Sequence, residues 1–186
     1  MFTLNCKGRL LVAEKPLVMG IINATPDSFY AGSRQQDIDA ILRQAEKMLR
    51  EGATILDIGG QSSRPGSVRI RAEEELSRVI GPVEELQKNF PEAFISIDTY
   101  YSLVAKEAVT AGASIINDIS AGSMDEQMTG TVAALQVPYV LMHMKGTPET
   151  MHHAPQYENL CRELLDFFIR KKEELKVDEN FYINVK

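Results

Sequence analysis

Tryptophan is absent from the 186 residues, cysteine occurs twice and histidine three times. The cysteines, Cys6 and Cys161, sit in unrelated contexts and form no Cys-x-x-Cys pair, which leaves no disulfide framework or zinc ribbon and points to a reduced, cytoplasmic setting. No apolar run approaches the ~20 residues of a membrane span. Residues 1–16 contain no charged segment leading into an apolar one, so no export signal is expected. Basic blocks are missing too. Lys and Arg number 20 against 26 Asp and Glu, a net charge of −6, which argues against broad binding to nucleic acid or to anionic membranes. Neither G-x-x-x-x-G-K-[ST] nor G-x-G-x-x-G occurs, so nucleotide loops of those kinds are unsupported. What is present, 44% hydrophobic and 25% charged residues, is the composition of a globular protein. No linker or low-complexity tract divides it, so residues 1–186 read as a single domain.

Short apolar runs alternate with amphipathic segments along the chain. The runs are Leu17-Val-Met-Gly-Ile-Ile22, Ala53-Thr-Ile-Leu56, Phe94-Ile-Ser-Ile97, Ser114-Ile-Ile116 and Tyr139-Val-Leu-Met142. Their continuity suits parallel strands covered on both faces. Between them, Ile38, Ile41, Leu42, Ala45, Met48 and Leu49 follow a helical stripe that stops at Gly52. Leu76, Val79, Ile80, Val83 and Leu86 form another behind the acidic turn Glu73-Glu74-Glu75, with Pro82 expected to kink it. Val104, Ala105 and Ala108 give a shorter stripe ending at Gly112, and residues 124–135 a weaker one broken by Gly130. Tyr157, Leu160, Cys161, Leu164 and Phe168 mark a final helix, with Cys161 read as a core thiol. Repeated βα units mean a doubly wound sheet or a β/α barrel. Each run closes in polar residues, Asn23, Asp57, Asp98, Asn117-Asp118 and His143, and such groups spread over many strand ends favour the (β/α)8 barrel. These positions recur roughly every 30 residues, so eight units need about 240, near the size typical of the fold. About the first five units are therefore expected here, with Phe181-Tyr-Ile-Asn-Val185 approaching a sixth strand and the barrel incomplete at the C-terminus.

Two loops carry chemistry. In Asn23-Ala-Thr-Pro-Asp-Ser-Phe29, Pro26 fixes the backbone while Asp27 and Ser28 can cap neighbouring amides; a capped turn explains this equally well, except for Asn23, whose amide closes a buried strand. In Asp57-Ile-Gly-Gly-Gln-Ser-Ser-Arg-Pro-Gly66, glycines, hydroxyls and an arginine can receive an anion, although a plain Gly/Ser loop has the same composition. Asp57 beside an anion suggests Mg²⁺, which takes one or two protein oxygens and completes its shell with phosphate and water; Asn23 and Asp57 would suffice. Asp98 and Asn117, ending adjacent strands, can read an aminopyrimidine edge, though Asp98 could instead cap the following helix. His143, His152 and His153 lack metal-ligand spacing and read as surface or capping residues.

Met19-Gly-Ile-Ile-Asn-Ala-Thr-Pro-Asp-Ser-Phe29 and Gly52-Ala-Thr-Ile-Leu-Asp-Ile-Gly-Gly-Gln-Ser-Ser-Arg-Pro-Gly66 closely resemble the two signature segments of the dihydropteroate synthase family. Ser96-Ile-Asp-Thr99, Ile116-Asn-Asp-Ile119 and Val140-Leu-Met-His-Met144 look like its later strands, in order. The resemblance implies a cytoplasmic TIM barrel of folate biosynthesis and sulfonamide target that joins p-aminobenzoate to 6-hydroxymethyl-7,8-dihydropterin diphosphate with Mg²⁺, releasing pyrophosphate. It implies a homodimer for the full-length protein. It assigns Asn23 and Asp57 to metal and pyrophosphate, and Asp98, Asn117 and Ile119 to the pterin pocket with Met142 as a wall. Ser63, Arg64 and Pro65 fall on a loop over pyrophosphate and aminobenzoate, and Phe29 on a second loop. Asp98 and Arg64 take the catalytic roles. Gln61 and Ser63 stand where several relatives carry Glu and Thr, and Tyr30-Ala-Gly departs from a usual acidic residue.

The family's later barrel supplies further pterin and pyrophosphate ligands, so this chain alone is expected to be inactive. Two rival readings share the pterin residues. A methyltetrahydrofolate methyltransferase has no need of the Ser-Ser-Arg-Pro loop, and a non-catalytic pterin-binding module would bind without turnover.

Overall fold

The computed structural model describes residues 1–25, 34–61, 69–148, 150–151 and 155–175. A β-hairpin, β1 (Phe2–Cys6) and β2 (Arg9–Ala13), precedes the expected alternation: β3 (Met19–Asn23), α1 (Arg34–Arg50), β4 (Ile55–Gly59), α2 (Ala72–Asn89), β5 (Phe94–Asp98), α3 (Ser102–Ala111), β6 (Ile115–Asp118), α4 (Met128–Leu135), β7 (Tyr139–Leu141) and α5 (Leu160–Leu175). Strands β3 to β7 pair in parallel and in sequence order, giving five consecutive βα units. Sequential parallel neighbours with a helix after each strand make the wall of a β/α barrel. The candidate sixth strand at 181–185 lies outside the described residues.

Register sorts the strand residues into two faces. One face carries Ile22, Leu56, Ile58, Ile95, Ile97, Ile116, Tyr139 and Leu141, buried against Ile41 and Ala45 of α1, Val79, Val83 and Leu86 of α2, Val104 and Ala108 of α3, and Met128 and Val132 of α4. The opposite, inner face is layered. Met19, Ile55 and Phe94 are in register in the lowest row; Ile21, Asp57, Ser96 and Ile115 form the next; Asn23, Gly59, Asp98, Asn117 and Val140 form a third, which contains the last residues of β3, β4 and β5. Helices α1 and α3 stop where expected. Gly52 (φ 105°) and Gly112 (φ 134°) take left-handed backbone that other residues resist, and each lets the next amide bond back into the last turn, Ala53 to Met48 and Ala113 to Ala108.

The hairpin is the element that reading for βα repeats passes over. Leu4, Cys6 and Leu11 pack with Ile55, Phe94, Ile115 and Val140 to close the floor of the inner face. Arg9 clips it in place, donating to the carbonyls of Pro91 and Glu92 at 2.7 Å each and of Ala93 at 3.3 Å, with its guanidinium 4.4 Å from the Phe94 ring centre. Alternation of Leu4 and Cys6 with polar neighbours around the Lys7-Gly8 turn was the available signal. Burial pushes the Cys6 thiol up to about 11, so it is a neutral packing group.

Helix α5 corrects another expectation. It begins at Leu160, and its inward side is Phe167, Phe168 and Leu175. Leu160 and Cys161 are exposed, so Cys161 is not a core thiol. Of the stripe read from the sequence, Phe168 packs on the core and Leu164 is half-buried, while Leu160 and Cys161 are exposed.

Candidate active site

The upper inner layer gathers residues from four strands. Asn117 lies in register with Asp98, Asp98 with Gly59, and Gly59 with Asn23. Asp57 sits one layer below, the third residue of β4 rather than its last, as expected from sequence. That depth buries it, at 2% exposure. Its Oδ2 accepts the Asn117 side-chain N–H at 2.8 Å, a bond that passes over β5 between Ser96 and Asp98. Asn23 is exposed on the same face, a diagonal neighbour of Asp57 across the β3–β4 pairing.

Asp98 closes β5 and is half-buried. Its Oδ2 stands 3.4 Å from the point a Cβ on Gly59 would occupy, so the carboxylate leans along the inner face over β4. It does not cap α3. The N–H of Ser102 at that helix start is taken at 2.7 Å by Asp125 Oδ2, from a loop beyond β6. With the cap supplied elsewhere, Asp98 is spared for the mouth of the barrel.

Asp118, adjacent to Asn117, points the other way. Its carboxylate accepts the N–H groups of Ser120 and Gly122 at 2.7 Å and the Tyr139 hydroxyl at 2.6 Å, entirely on the helix side. It holds the loop that begins with half-buried Ile119. Met142 extends β7 by one step, its N–H on the Asp118 carbonyl at 3.2 Å, and alternation from Val140 puts it on the inner face as a wall.

His143 lies two residues beyond β7 and stacks edge-on against Phe167, ring centres 4.9 Å apart. His152 and His153 lie outside the described residues, as do Phe29, Ser63, Arg64 and Pro65. Among the described residues, no group of three or more His, Cys, Asp and Glu could hold a metal ion. Asn23 and Asp57 offer two hard oxygen donors on adjacent strands, a set that fits Mg²⁺ sharing its shell with phosphate and water.

One buried acid was missed. Glu75, in the first turn of α2, is 1% exposed and abuts Gly60, where an added Cβ would stand 2.9 Å from Glu75 Cγ and 2.8 Å from Val79 Cγ1. Burial raises its carboxyl to about 7, with the Thr99 hydroxyl and the Arg78 guanidinium pulling the other way. Glu75 shares a helical face with Val79, Pro82, Val83 and Leu86, a spacing visible in the sequence.

Comparison with known proteins identifies the fold's lineage. A family model described as "Pterin binding enzyme" matches residues 19–179. The chain belongs to the pterin-binding enzymes. Over 162 residues it is 50% identical to the "Folate synthesis bifunctional protein, mitochondrial" of Pisum sativum, a match covering 84% of this chain and 31% of that protein. Xanthomonas albilineans dihydropteroate synthase, solved with 4-aminobenzoic acid, superposes with a TM-score of 0.86 at 38% identity, covering 97% of this chain and 65% of that one. For Yersinia pestis dihydropteroate synthase, solved as a sulfonamide drug complex, the TM-score is 0.88 at 36% identity, over 100% of this chain and 68% of that one. The chain thus spans under a third of the pea protein and about two thirds of the bacterial ones. With the two bacterial synthases this chain shares the fold of the barrel wall.

Proposed function

We propose that this chain carries the pterin- and diphosphate-binding wall of a dihydropteroate synthase, joining 6-hydroxymethyl-7,8-dihydropterin diphosphate to p-aminobenzoate and releasing pyrophosphate. The observation that carries the reading is the convergence of Asp98, Asn117 and Asp57 on one inner face, with Asn117 bonded to Asp57 at 2.8 Å. The 4-aminobenzoic acid bound by the Xanthomonas relative supports the second substrate.

Each residue then has a role. Asp98 accepts N–H groups of the aminopyrimidine edge and, as an anion, stabilises the pterin as its exocyclic C–O bond breaks and positive charge spreads into the ring. Asn117 reads the same edge while its N–H keeps the Asp57 carboxylate turned toward the mouth. Arg64 adds charge on the oxygens of the departing diphosphate, and Ser63, Pro65 and Phe29 border the two substrates. Met142 and Ile119 flank the heterocycle. The aminobenzoate nitrogen supplies the electron pair for the new C–N bond and loses a proton; an aniline needs no strong base. The reading includes a reducing, cytoplasmic setting and, for the whole protein, a homodimer.

Titration of the chain with 6-hydroxymethylpterin tests it. Saturable binding that Asp98→Asn weakens at least about tenfold is expected, the loss of one charged hydrogen-bonded contact. Absence of binding, or equal affinity in the variant, would overturn it.

A further inference from the structure

Four residues outside the roles above tie the ends of β4 and α2 to the strand that carries Asp98. Gln61 directly follows Gly60, and Arg69 and Ile70 lead into α2. The Gln61 side chain bridges this junction, its Nε2 donating to the Tyr100 hydroxyl and its Oε1 accepting the Ile70 N–H at 3.2 Å. Tyr101 repeats the device: its hydroxyl donates to the Ile70 carbonyl at 2.7 Å and accepts from Arg69 Nε at 2.9 Å. The guanidinium of Arg69 lies 5.1 Å and 5.3 Å from the two tyrosine ring centres, and those rings are 4.7 Å apart. From beneath, Arg78 Nη1 holds the Gly60 carbonyl at 3.0 Å.

Tyr100 and Tyr101 follow Asp98 by two and three residues, and Gln61 follows Asp57 by four. Three bonds of the cluster, Gln61 to Tyr100, Tyr101 to Ile70 and Arg69 to Tyr101, therefore cross from the segment after Asp57 to the segment after Asp98. Tyr100 is 4% exposed, so its hydroxyl is dry and the bond to Gln61 is costly to lose.

We propose that Gln61 and Tyr100, backed by Tyr101 and Arg69, are positioning residues that hold the segment following β4 and the approach to α2 against the end of β5, and thereby set the grip of the site on a diphosphate. This deepens the dihydropteroate synthase reading and rests on it. The amide at position 61 is suited to the task because it donates to one partner and accepts from the other. A carboxylate there could serve as well, accepting from both the Ile70 N–H and the Tyr100 O–H.

The test uses the chain with Mg²⁺, inorganic pyrophosphate followed by calorimetry, and 6-hydroxymethylpterin followed by fluorescence. Gln61→Leu is expected to weaken pyrophosphate about tenfold and pterin by less than about twofold, since Asp98 and Asn117 are untouched. Gln61→Glu restores pyrophosphate binding, and adding Tyr100→Phe to it removes the rescue. Unchanged pyrophosphate affinity in Gln61→Leu, failure of the Glu variant to rescue, or equal loss of both ligands would overturn the proposal. So would a wild-type chain that binds pterin without pyrophosphate. A wild-type chain that binds neither ligand overturns the parent reading and the proposal with it.

Discussion

Asp125 caps helix α3 from outside the helix, taking the Ser102 N–H on Oδ2 at 2.7 Å while its Oδ1 takes the Gln127 N–H at 2.9 Å. One carboxylate thus serves a helix start and the approach to the next helix, and the residue nearer in sequence, Asp98, is left to the mouth. Such caps contribute about 1 kcal/mol.

Asp125→Ala should therefore lower stability by about 1 kcal/mol in urea denaturation without weakening pterin binding. Burial pushes this carboxyl up, but the bonds from Ser102 and Gln127 outweigh it and hold it below the ordinary 3.8. The contribution is then fully present above that value and fades as pH falls through the lowered one. A difference between wild type and variant that persists undiminished in strong acid would contradict this.

Glu75 gives the opposite slope. Its folded carboxyl titrates near 7 against an ordinary 4.5, so the folded state binds more protons between those values. Stability falls as pH rises from about 4.5 to 7, by about 3 kcal/mol at 1.36 kcal/mol per pH step. Glu75→Gln should flatten the profile and raise the melting temperature at pH 8. Parallel pH profiles for the two proteins would refute the assignment.

Replacing Asn117 by Leu removes the donor to Asp57 and leaves a buried carboxylate one hydrogen bond short, at a cost of about 1–3 kcal/mol. Chemical denaturation of the two proteins would measure that loss. Pterin affinity should fall as well. Retained affinity would remove Asn117 from the site.

Arg9→Lys should fail to rescue what Arg9→Ala loses, because three carbonyls are met by a planar fork that an ammonium cannot reproduce. Thermal melts of both variants, with pterin binding measured below the transition, separate floor from mouth: the first should fall and the second hold.

The five strands of the wall were legible because each is a continuous apolar run, and a run buried on both faces looks like little else. Asn23, Asp98 and Asn117 were legible because a polar residue interrupts such a run where the barrel opens. Asp57 was found but set too shallow, since Ile58 and Gly59 extend β4 by two residues beyond it. Glu75 read as one of three acids at a helix start, and only the helix phase distinguishes the one turned inward. The hairpin was lost for another reason: its partners, Pro91 to Phe94, are far along the chain, and no local pattern reports them. The Gln61 junction was equally hidden, because its bonds to Tyr100 reach across 39 positions.

Asn117 and Asp118 are neighbours with separate duties, one facing the hollow of the barrel and the other moored to Ser120, Gly122 and Tyr139 behind it. A position on the inner face and the anchoring of the following loop are thereby assigned to the two sides of a single peptide bond. On the proposed reading, an exchange at Asn117 that keeps a donor to Asp57 would change what the hollow presents to a ligand while Asp118 keeps the loop behind it in place.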